Sequence, residues 1–552
     1  MARAHSGLAR LMGASARALP RTVDHSMCSS VPGMFCAHDT LRQPAARTGV
    51  GGAARGGLAN LIGVGFTGLT GLAVTWLVAR GLGTDHAGAF FAATALFALA
   101  VGLARLGTQT GLVYWPARLR ARGHTNLLGE CLRTGLTPVG AVALVMAGVL
   151  WTCAPVLARL TAPHSTPDLV VDHAGQLRVL AVFLPLAAVA DAVLTATRGY
   201  RMLRPTIMLE RIIRPGLQLA GIGGLALATA WVALPPSWYA LAWAGPYLPV
   251  ALLGGYALRR VYLTAREPAA EPTSRARRLL RRRFWRFTGP RAVASVAQLA
   301  LQRLDVLLVA AFGGLAAAAL YAVAGRFVVL GQFANQGIGQ AVQPRLAEAL
   351  ATGDRGRANA LYQAATGWLV LATWPLYLLV IMFAPVYLGA FGDDYRTGGA
   401  IVVVLGSAML FSTGCGMVDS VLTMAGRTTW NLWNVVLALV VTISLDLLLI
   451  PPLGALGAAI GLAVAVLINN LVPLLQVGLS LGLHPFGRGT MVAGGLAVVC
   501  FGGVAALSVA SLGATVPGLT AAVVIGGGLY ALGVHRLREL LGLSDFARLR
   551  RS

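Results

Sequence analysis

Long apolar runs alternate with short polar connections along most of this chain. Stretches of about 20 apolar residues are long enough to cross a bilayer as helices, and helices satisfy their own backbone polar groups in lipid. The pattern therefore predicts an all-α polytopic membrane protein with about 14 transmembrane helices. The predicted spans are 57–79, 86–107, 134–156, 175–197, 209–232, 238–260, 290–312, 316–338, 365–388, 399–423, 430–451, 455–480, 490–510 and 516–535.

Composition leads to the same class of protein. Charged residues make up 11% of the chain and hydrophobic residues 57%, whereas a soluble domain carries about 25% charged residues. No P-loop, Ser/His/Asp grouping or pair of carboxylates on an outside loop is found, which argues against an enzyme or an ATP-driven pump. No cofactor is expected. No metal site is expected either, because His25, Cys28, Cys36 and His38 lack a familiar zinc spacing.

Basic residues are distributed very unevenly between the predicted loops. All 44 are arginines, and they set a formal net charge of +25. The loops predicted to face outside hold three basic residues against five acidic ones, and the remaining loops are rich in arginine. The positive-inside rule then places both termini in the cytoplasm. The absence of lysine, together with abundant Ala, Gly, Leu and Val, indicates a GC-rich, bacterial genome. The outside residues are Arg80, Arg159, Arg396, Asp85, Asp168, Asp172, Asp393 and Asp394.

The chain divides into two sets of six predicted helices followed by two more. A weak repeat supports this division, because Val78-Ala79 before one turn resembles Val309-Ala310 before another turn, 231 residues later. The sequence therefore predicts two pseudo-symmetric six-helix lobes, a common plan of transporters. The predicted divisions are a disordered cytoplasmic tail (1–55), an N-lobe (56–262), a basic cytoplasmic linker (263–288), a C-lobe (289–482), two C-terminal helices (483–535) and a cytoplasmic tail (536–552).

The linker contains an arginine-rich amphipathic segment. Leu280, Phe284 and Phe287 fall on one helical face and arginines on the others. We expect this helix to lie on anionic inner-leaflet lipids, which explains its charge without a nucleic acid partner.

Several charged residues fall within the predicted spans, where they are costly and usually face a cavity or a partner. Arg303, Asp305 and Arg326 lie at one depth of adjacent helices, and either form an internal ion cluster or present positive charge to an anionic substrate. Arg105, Arg211 and Arg214 lie nearer the cytoplasm and bind a phosphate or extend to head groups. Asp305 either masks the positive charge of Arg303 and Arg326 or takes up a coupling proton, and Asp191 and Asp419 are the further candidates for ion coupling or gating. Asp446 is expected to be a structural partner.

Three segments carry a resemblance to a known family. They are VARGLGTDHAGAFFAATALFALAVGLARLG (78–107), DVLLVAAFGGLAAAALYAVAGRFVVL (305–330) with PRLAEAL (344–350), and AGRTTWNLWNVVLALVVTISLDLLLIPPLGALGAAIG (425–461). Residues 57–482 resemble the polysaccharide and O-antigen exporter branch of the multidrug/oligosaccharidyl-lipid/polysaccharide flippase superfamily. The two extra C-terminal helices depart from that branch and resemble lipid II flippases.

This resemblance implies a specific activity. Members of the branch move undecaprenyl-diphosphate-linked oligosaccharides across the inner membrane by alternating access, for lipopolysaccharide and other surface glycans. The implied partners are that lipid-linked glycan, a proton or sodium gradient and the glycan polymerase machinery. Two alternatives stay open at this stage: a cation-coupled multidrug exporter of the same superfamily, and a membrane glycan polymerase or ligase.

Overall fold

The computed structural model describes residues 50–163, 165–200, 202–229, 231–265 and 271–541. The predicted tails at 1–55 and 536–552 therefore lie mostly outside the described residues. The described part is helical throughout. The N-lobe contains α1 (Val50–Ala104), α2 (Thr108–Ala121), α3 (Leu128–Thr161), α4 (Pro167–Gly199), a π-helical segment (Thr206–Ile213) that continues into α5 (Arg214–Ala228), α6 (Ser237–Ala244) and α7 (Tyr247–Ala265).

The C-lobe and the two C-terminal helices are also built from helices joined by short connections. The elements are α8 (Ser274–Gly313), α9 (Leu315–Ala324), α10 (Arg326–Ala351), α11 (Arg355–Met382), α12 (Ala384–Gly389), α13 (Gly399–Cys415), α14 (Val418–Met424), α15 (Thr428–Leu453), α16 (Ala455–Leu481), α17 (Arg488–Ala497), α18 (Val504–Leu512) and α19 (Val516–Arg536). A π-helical turn, Val498–Gly503, joins α17 to α18.

Twelve helical runs of the described residues are long and apolar enough to cross a membrane. The first, Ile62–Ala121, contains two of the predicted spans, because α1 bends sharply at Gly83. The run Thr206–Ala228 is not among the twelve, and it carries three charged side chains, Glu210, Arg211 and Arg214. The difference between twelve runs and the fourteen predicted passes is thus explained, since one run holds two predicted spans and one predicted span is not counted. The all-α polytopic fold is confirmed.

The internal repeat is visible in the backbone. Gly83 has φ 73° and ψ 173°, and Gly314 has φ 88° and ψ 168°. Both glycines adopt a positive φ that other residues rarely tolerate. They lie 231 residues apart, the same offset that the sequence repeat shows, and each ends the first helix of its lobe. The two lobes are thus related by a shared turn geometry as well as by weak sequence similarity.

The lobes meet on the side that is predicted to face outside. Trp76 Nε1 and Arg80 Nε both donate hydrogen bonds to the carbonyl of Ala390, at 2.7 and 3.1 Å. Nearby, Gly88 lies so close to Leu315 that a Cβ atom on Gly88 would fall 1.9 Å from the Leu315 carbonyl oxygen. One buried apolar cluster continues from α1 into α8 and α9 at this level. The lobes are therefore in close contact at the predicted outer face.

The arginine-rich segment differs from its prediction. It begins a 40-residue helix, α8, which runs from Ser274 through the predicted linker boundary at residue 288 to Gly313. Leu280 and Phe284 are buried against the N-lobe rather than presented to lipid. Phe287 stacks on Tyr114 of α2 with ring centroids 4.5 Å apart. The expectation of a helix lying on the leaflet through its apolar face is wrong, because the N-lobe already covers that face.

The two C-terminal helices pack on α11. Tyr530 donates a hydrogen bond to the carbonyl of Leu371 at 2.7 Å, and Trp368 Nε1 donates to that of Leu541 at 3.1 Å. A buried cluster of Phe383, Ala505 and Ala522 joins the same elements. These helices are an addition to the C-lobe.

Candidate functional site

Two adjoining cavities lie between and within the lobes. The first, here the N-lobe cavity, has a volume of about 360 Å³ and is lined mainly by α1, with smaller contributions from α5 and α8. All its charged lining side chains are arginines: Arg105, Arg214, Arg303 and Arg326. The second, here the C-lobe cavity, has a volume of about 600 Å³. Four of the five arginines predicted from the sequence are thus brought together, although they come from distant parts of the chain.

Arg303 and Arg326 stand at the border and line both cavities. Neither takes part in an ion pair among the described residues. The Arg326 guanidinium lies 5.9 Å from the ring centroid of Phe91, across the lobe interface, and its Nε is buried without a hydrogen-bond partner. The internal ion cluster considered at the sequence level is therefore not closed by a salt bridge among the described residues, although Arg303 interacts electrostatically with Asp305. Both cations remain available to an anion.

Arg214 is held in place by an aromatic neighbour. Its Nη1 donates a hydrogen bond to the Tyr247 hydroxyl at 2.7 Å, and the guanidinium lies 5.1 Å from the centre of that ring. The Nε of Arg214 is buried and has no partner in the described structure. The hydroxyl is neutral and adds no counter-charge. Asp191 and Glu210 lie close enough to interact electrostatically with Arg214, although each forms its salt bridge with another arginine. Arg214 therefore brings a partly compensated positive charge to the N-lobe cavity.

Arg105 and Asp191 form an ion pair, which the sequence did not predict. Arg105 Nε lies 2.6 Å from Asp191 Oδ2, and Gln109 donates to the same oxygen at 3.2 Å. The carboxylate of Asp191 thus compensates Arg105, and Asp191 does not line either cavity. This geometry favours a positioning role for Asp191 over the coupling or gating role expected from the sequence.

Arg211 is the one predicted arginine of the five that lines neither described cavity. It belongs to the π-helical segment. Its contribution to the site is made by its backbone, because the Thr67 hydroxyl donates to the Arg211 carbonyl at 3.0 Å. The Arg211 side chain lies close enough to Arg214 for the two charges to interact, and the phosphate site predicted for these residues stays a prediction.

Asp305 and Asp446 form a buried acidic pair beside the C-lobe cavity. The Tyr321 hydroxyl and the Val306 backbone N–H both donate to Asp305. Asp446, on α15, is fully buried and lies close enough to interact electrostatically with Asp305. Neither carboxylate oxygen of Asp446 has a hydrogen-bond partner in the described structure. The sequence suggested only a structural role for Asp446, because it lies near the outer end of its predicted span. That position does not show that its carboxylate lacks a hydrogen-bond partner.

Asp419 faces the C-lobe cavity, as Asp305 does. It begins the short helix α14 and remains exposed to the cavity. Of the three acids predicted for coupling, Asp305 and Asp419 therefore share one cavity, and Asp191 lies elsewhere. No group of three or more His, Cys, Asp or Glu side chains that could hold a metal is found among the described residues.

Other lining residues were missed by the sequence reasoning. Trp243 and Tyr247 extend the wall of the N-lobe cavity, and Gln218 donates to the Trp243 carbonyl at 2.8 Å. The C-lobe cavity is lined by amide side chains of α8 and α10, and by Asn469 and Asn470 of α16, which the sequence indicated as interhelical hydrogen-bond formers. For the amides of α8 and α10, the spacing on one helix face is the signal that could have revealed them.

Residues 290–448 match a family model described as MatE. No curated protein matches the chain. Solved structures with the same fold include a lipid II flippase, MurJ, in an inward closed conformation, with a TM-score of 0.68 and 12% identity. That match covers 88% of this chain and 100% of MurJ.

Multidrug transporters have a similar fold over a smaller share of the chain. An inward-facing MATE family transporter of the MOP superfamily gives a TM-score of 0.62 at 16% identity, over 77% of this chain and 98% of that one. A MOP superfamily transporter from Pyrococcus furiosus, whose structure is described as having a binding pocket of reversed polarity, gives a TM-score of 0.53 at 16% identity. That match covers 78% of this chain and 95% of the other. At these identities the likeness establishes the fold.

Proposed function

We propose that this protein is a transporter of the multidrug/oligosaccharidyl-lipid/polysaccharide superfamily that moves an anionic, lipid-linked glycan across the bacterial inner membrane. The MatE match and the fold shared with MurJ and MATE transporters support a transporter rather than an enzyme. The substrate class we infer is an undecaprenyl-diphosphate-linked oligosaccharide destined for lipopolysaccharide or another surface polysaccharide.

One observation carries the choice of an anionic substrate. Arg303 and Arg326 stand between the two cavities without a carboxylate partner in the described structure, at a depth where lone charges are costly. Arg214, which forms no salt bridge among the described residues, adds a third cation. A diphosphate offers several charged oxygens, and arginine guanidinium groups bind phosphate oxygens in a bidentate manner. The lipid tail would remain in the bilayer while the polar group occupies the cavities.

Alternating access is the mechanism that we propose, and the contact between the lobes supports it. In the structure the lobes close at the predicted outer face, through Trp76, Arg80 and Gly88. Separating these contacts would open the cavities to the outside. The buried acids Asp305 and Asp446 are our candidates for taking up the proton or sodium ion that drives this change, with Asp419 as a further candidate.

A cation-coupled multidrug exporter is the second candidate, and the fold similarity to MATE transporters favours it. Such an exporter binds cationic compounds, for which acidic residues are expected in the N-lobe cavity. The charged residues that line this cavity are arginines, so an anionic substrate fits it better.

A genetic experiment tests the proposal. In a strain that lacks the gene, undecaprenyl-linked repeat units should accumulate on the cytoplasmic leaflet, and surface glycan should be lost. Complementation with the wild-type gene should restore the glycan, whereas complementation with Arg326→Ala should not. Normal surface glycan in the deletion strain, with no related transporter present, would contradict the proposal.

A further inference from the structure

The C-lobe cavity is rich in uncharged amide side chains. They come from three separate helices that converge on one space of about 600 Å³. Two pairs lie on single helix faces, because residues three and four apart in a helix are neighbours. The amides are Gln298 and Gln302 on α8, Gln332 and Asn335 on α10, and Asn469 and Asn470 on α16.

Most of these amides have no hydrogen-bond partner among the residues that the structure describes. Gln298, Gln302, Gln332 and Asn335 are exposed to the cavity and make no hydrogen bond among the described residues. Asn469 has a buried Oδ1 atom that also lacks a partner. Only Asn470 is satisfied in part, since its Nδ2 donates to the carbonyl of Val466, one turn earlier in the same helix, at 2.7 Å.

Unpartnered amides inside membrane-spanning helices are costly unless something hydrogen-bonds to them. A polar group buried without a hydrogen bond loses a few kcal/mol relative to water. An amide offers two donors and one acceptor with two lone pairs, and it carries no charge. A set of free amides that faces one cavity is therefore suited to a ligand that both donates and accepts hydrogen bonds, such as a sugar with its hydroxyl groups.

The two cavities differ in the charged residues that line them. The N-lobe cavity has only arginines as charged lining residues, whereas the C-lobe cavity adds the acids Asp305 and Asp419. Both cavities share Arg303 and Arg326 at their border. An anionic group at the border would place a neighbouring uncharged group among the amides. The acids would oppose an acidic sugar there.

We propose that the C-lobe cavity is a carbohydrate subsite that holds uncharged sugars of the lipid-linked substrate, with the amides as its hydrogen-bonding groups. This inference rests on the proposed function, because it takes the diphosphate to lie at Arg303 and Arg326. It adds a division of labour: arginines bind the diphosphate, and amides of the C-lobe determine whether the lipid must carry a sugar.

The test uses the purified full chain in lipid nanodiscs and two probes. One probe is undecaprenyl diphosphate, and the other is undecaprenyl diphosphate that carries one N-acetylglucosamine. The wild-type protein should bind the sugar-bearing lipid more tightly. The double variant Gln302→Leu/Asn335→Leu should lose roughly tenfold in affinity for the sugar-bearing lipid, given the net strength of two neutral hydrogen bonds. Its affinity for undecaprenyl diphosphate should stay within about twofold.

Gln336→Leu is the matched control, because Gln336 is an exposed amide of the same helix that lines neither cavity. It should bind both lipids as the wild type does, and the thermal stability of each variant shows whether it is folded. Arg326→Ala should weaken binding of both lipids. Equal affinity of the double variant and the wild type for the sugar-bearing lipid would overturn the carbohydrate subsite alone. Failure of the wild type to bind either lipid would overturn the proposed function itself.

Discussion

Arg326 is the residue on which the choice of substrate depends most. Its guanidinium lines both cavities, and its Nε has no partner in the described structure. We expect Arg326→Ala to reduce transport by roughly 10- to 100-fold, the loss that follows from removing hydrogen bonds to a charged group. Arg326→Lys should retain part of the activity, because it keeps the charge and loses the planar guanidinium. Transport of the lipid-linked glycan by purified protein is the measurement.

The matched control is Arg282→Ala. Arg282 is exposed on the basic segment of α8 and lines neither cavity. It should transport normally, and both variants should insert into the membrane in normal amounts. If Arg326→Ala transports as well as Arg282→Ala, Arg326 is a structural residue and the anionic substrate loses its main support.

Asp446 gives a second prediction at the level of single residues. Its carboxylate is fully buried beside Asp305, without hydrogen-bond partners in the described structure. We expect Asp446→Asn to abolish the dependence of transport on an ion gradient, because an amide can neither take up a proton nor balance a sodium ion. Transport with and without an imposed proton or sodium gradient measures this. Unchanged gradient dependence in the variant would exclude Asp446 from coupling.

Sequence reasoning identified the buried charges but not their partners. The depth of Arg303, Arg326 and Asp305 could be counted along the predicted helices. The ion pair of Arg105 with Asp191 could not be predicted in this way, because it joins helices whose relative rotation is set by packing. The π-helical segment around Arg211 likewise depends on tertiary contacts. Residue spacing predicts which side chains share one face of a helix. It does not predict which other helix packs against that face.

At the level of elements, we expect the contact between α1 and α9 to control closure of the predicted outer face. Gly88 allows the backbones to approach, since a Cβ atom there would fall 1.9 Å from the Leu315 carbonyl oxygen. We expect Gly88→Leu to hold the lobes apart at this face. In a cysteine-free background, a cysteine at position 78, where Val78 is fully buried, should then react several times faster with a membrane-impermeant maleimide.

Gly65→Leu serves as the control for this experiment. Gly65 lies on the same helix and has open space where a Cβ atom would be. This variant should leave the labelling rate at position 78 unchanged. If Gly88→Leu labels at position 78 as slowly as the protein that keeps Gly88, close approach at Gly88 does not control the outer face.

The basic segment of α8 shows where an element-level prediction fails. Its amphipathic pattern correctly indicated a helix with one apolar face. The pattern could not tell whether lipid or protein covers that face, because both are apolar surfaces. The structure places Leu280 and Phe284 against the N-lobe. The same helix continues into the C-lobe, so α8 connects the two halves mechanically.

For the molecule as a whole, the arginine distribution predicts the orientation in the membrane. Gly353, between α10 and α11, should face the cytoplasm, and Gly513, between α18 and α19, should face the outside. Single cysteines at these positions check this in intact cells. Only the cysteine at 513 should react with an impermeant reagent. Labelling at 353 instead would reverse the predicted topology and the side to which the lobes are closed.

The central claim is that this chain moves a diphosphate-linked glycan through a cavity lined by arginines. Its most direct test is a flipping assay in proteoliposomes, with undecaprenyl diphosphate that carries N-acetylglucosamine as the cargo and a glycan-modifying enzyme outside as the reporter. Wild-type protein should move the lipid between leaflets faster than protein-free vesicles, and Arg303→Ala/Arg326→Ala should fall to the protein-free rate. Equal rates for wild type and protein-free vesicles, under an imposed proton or sodium gradient, would contradict the account.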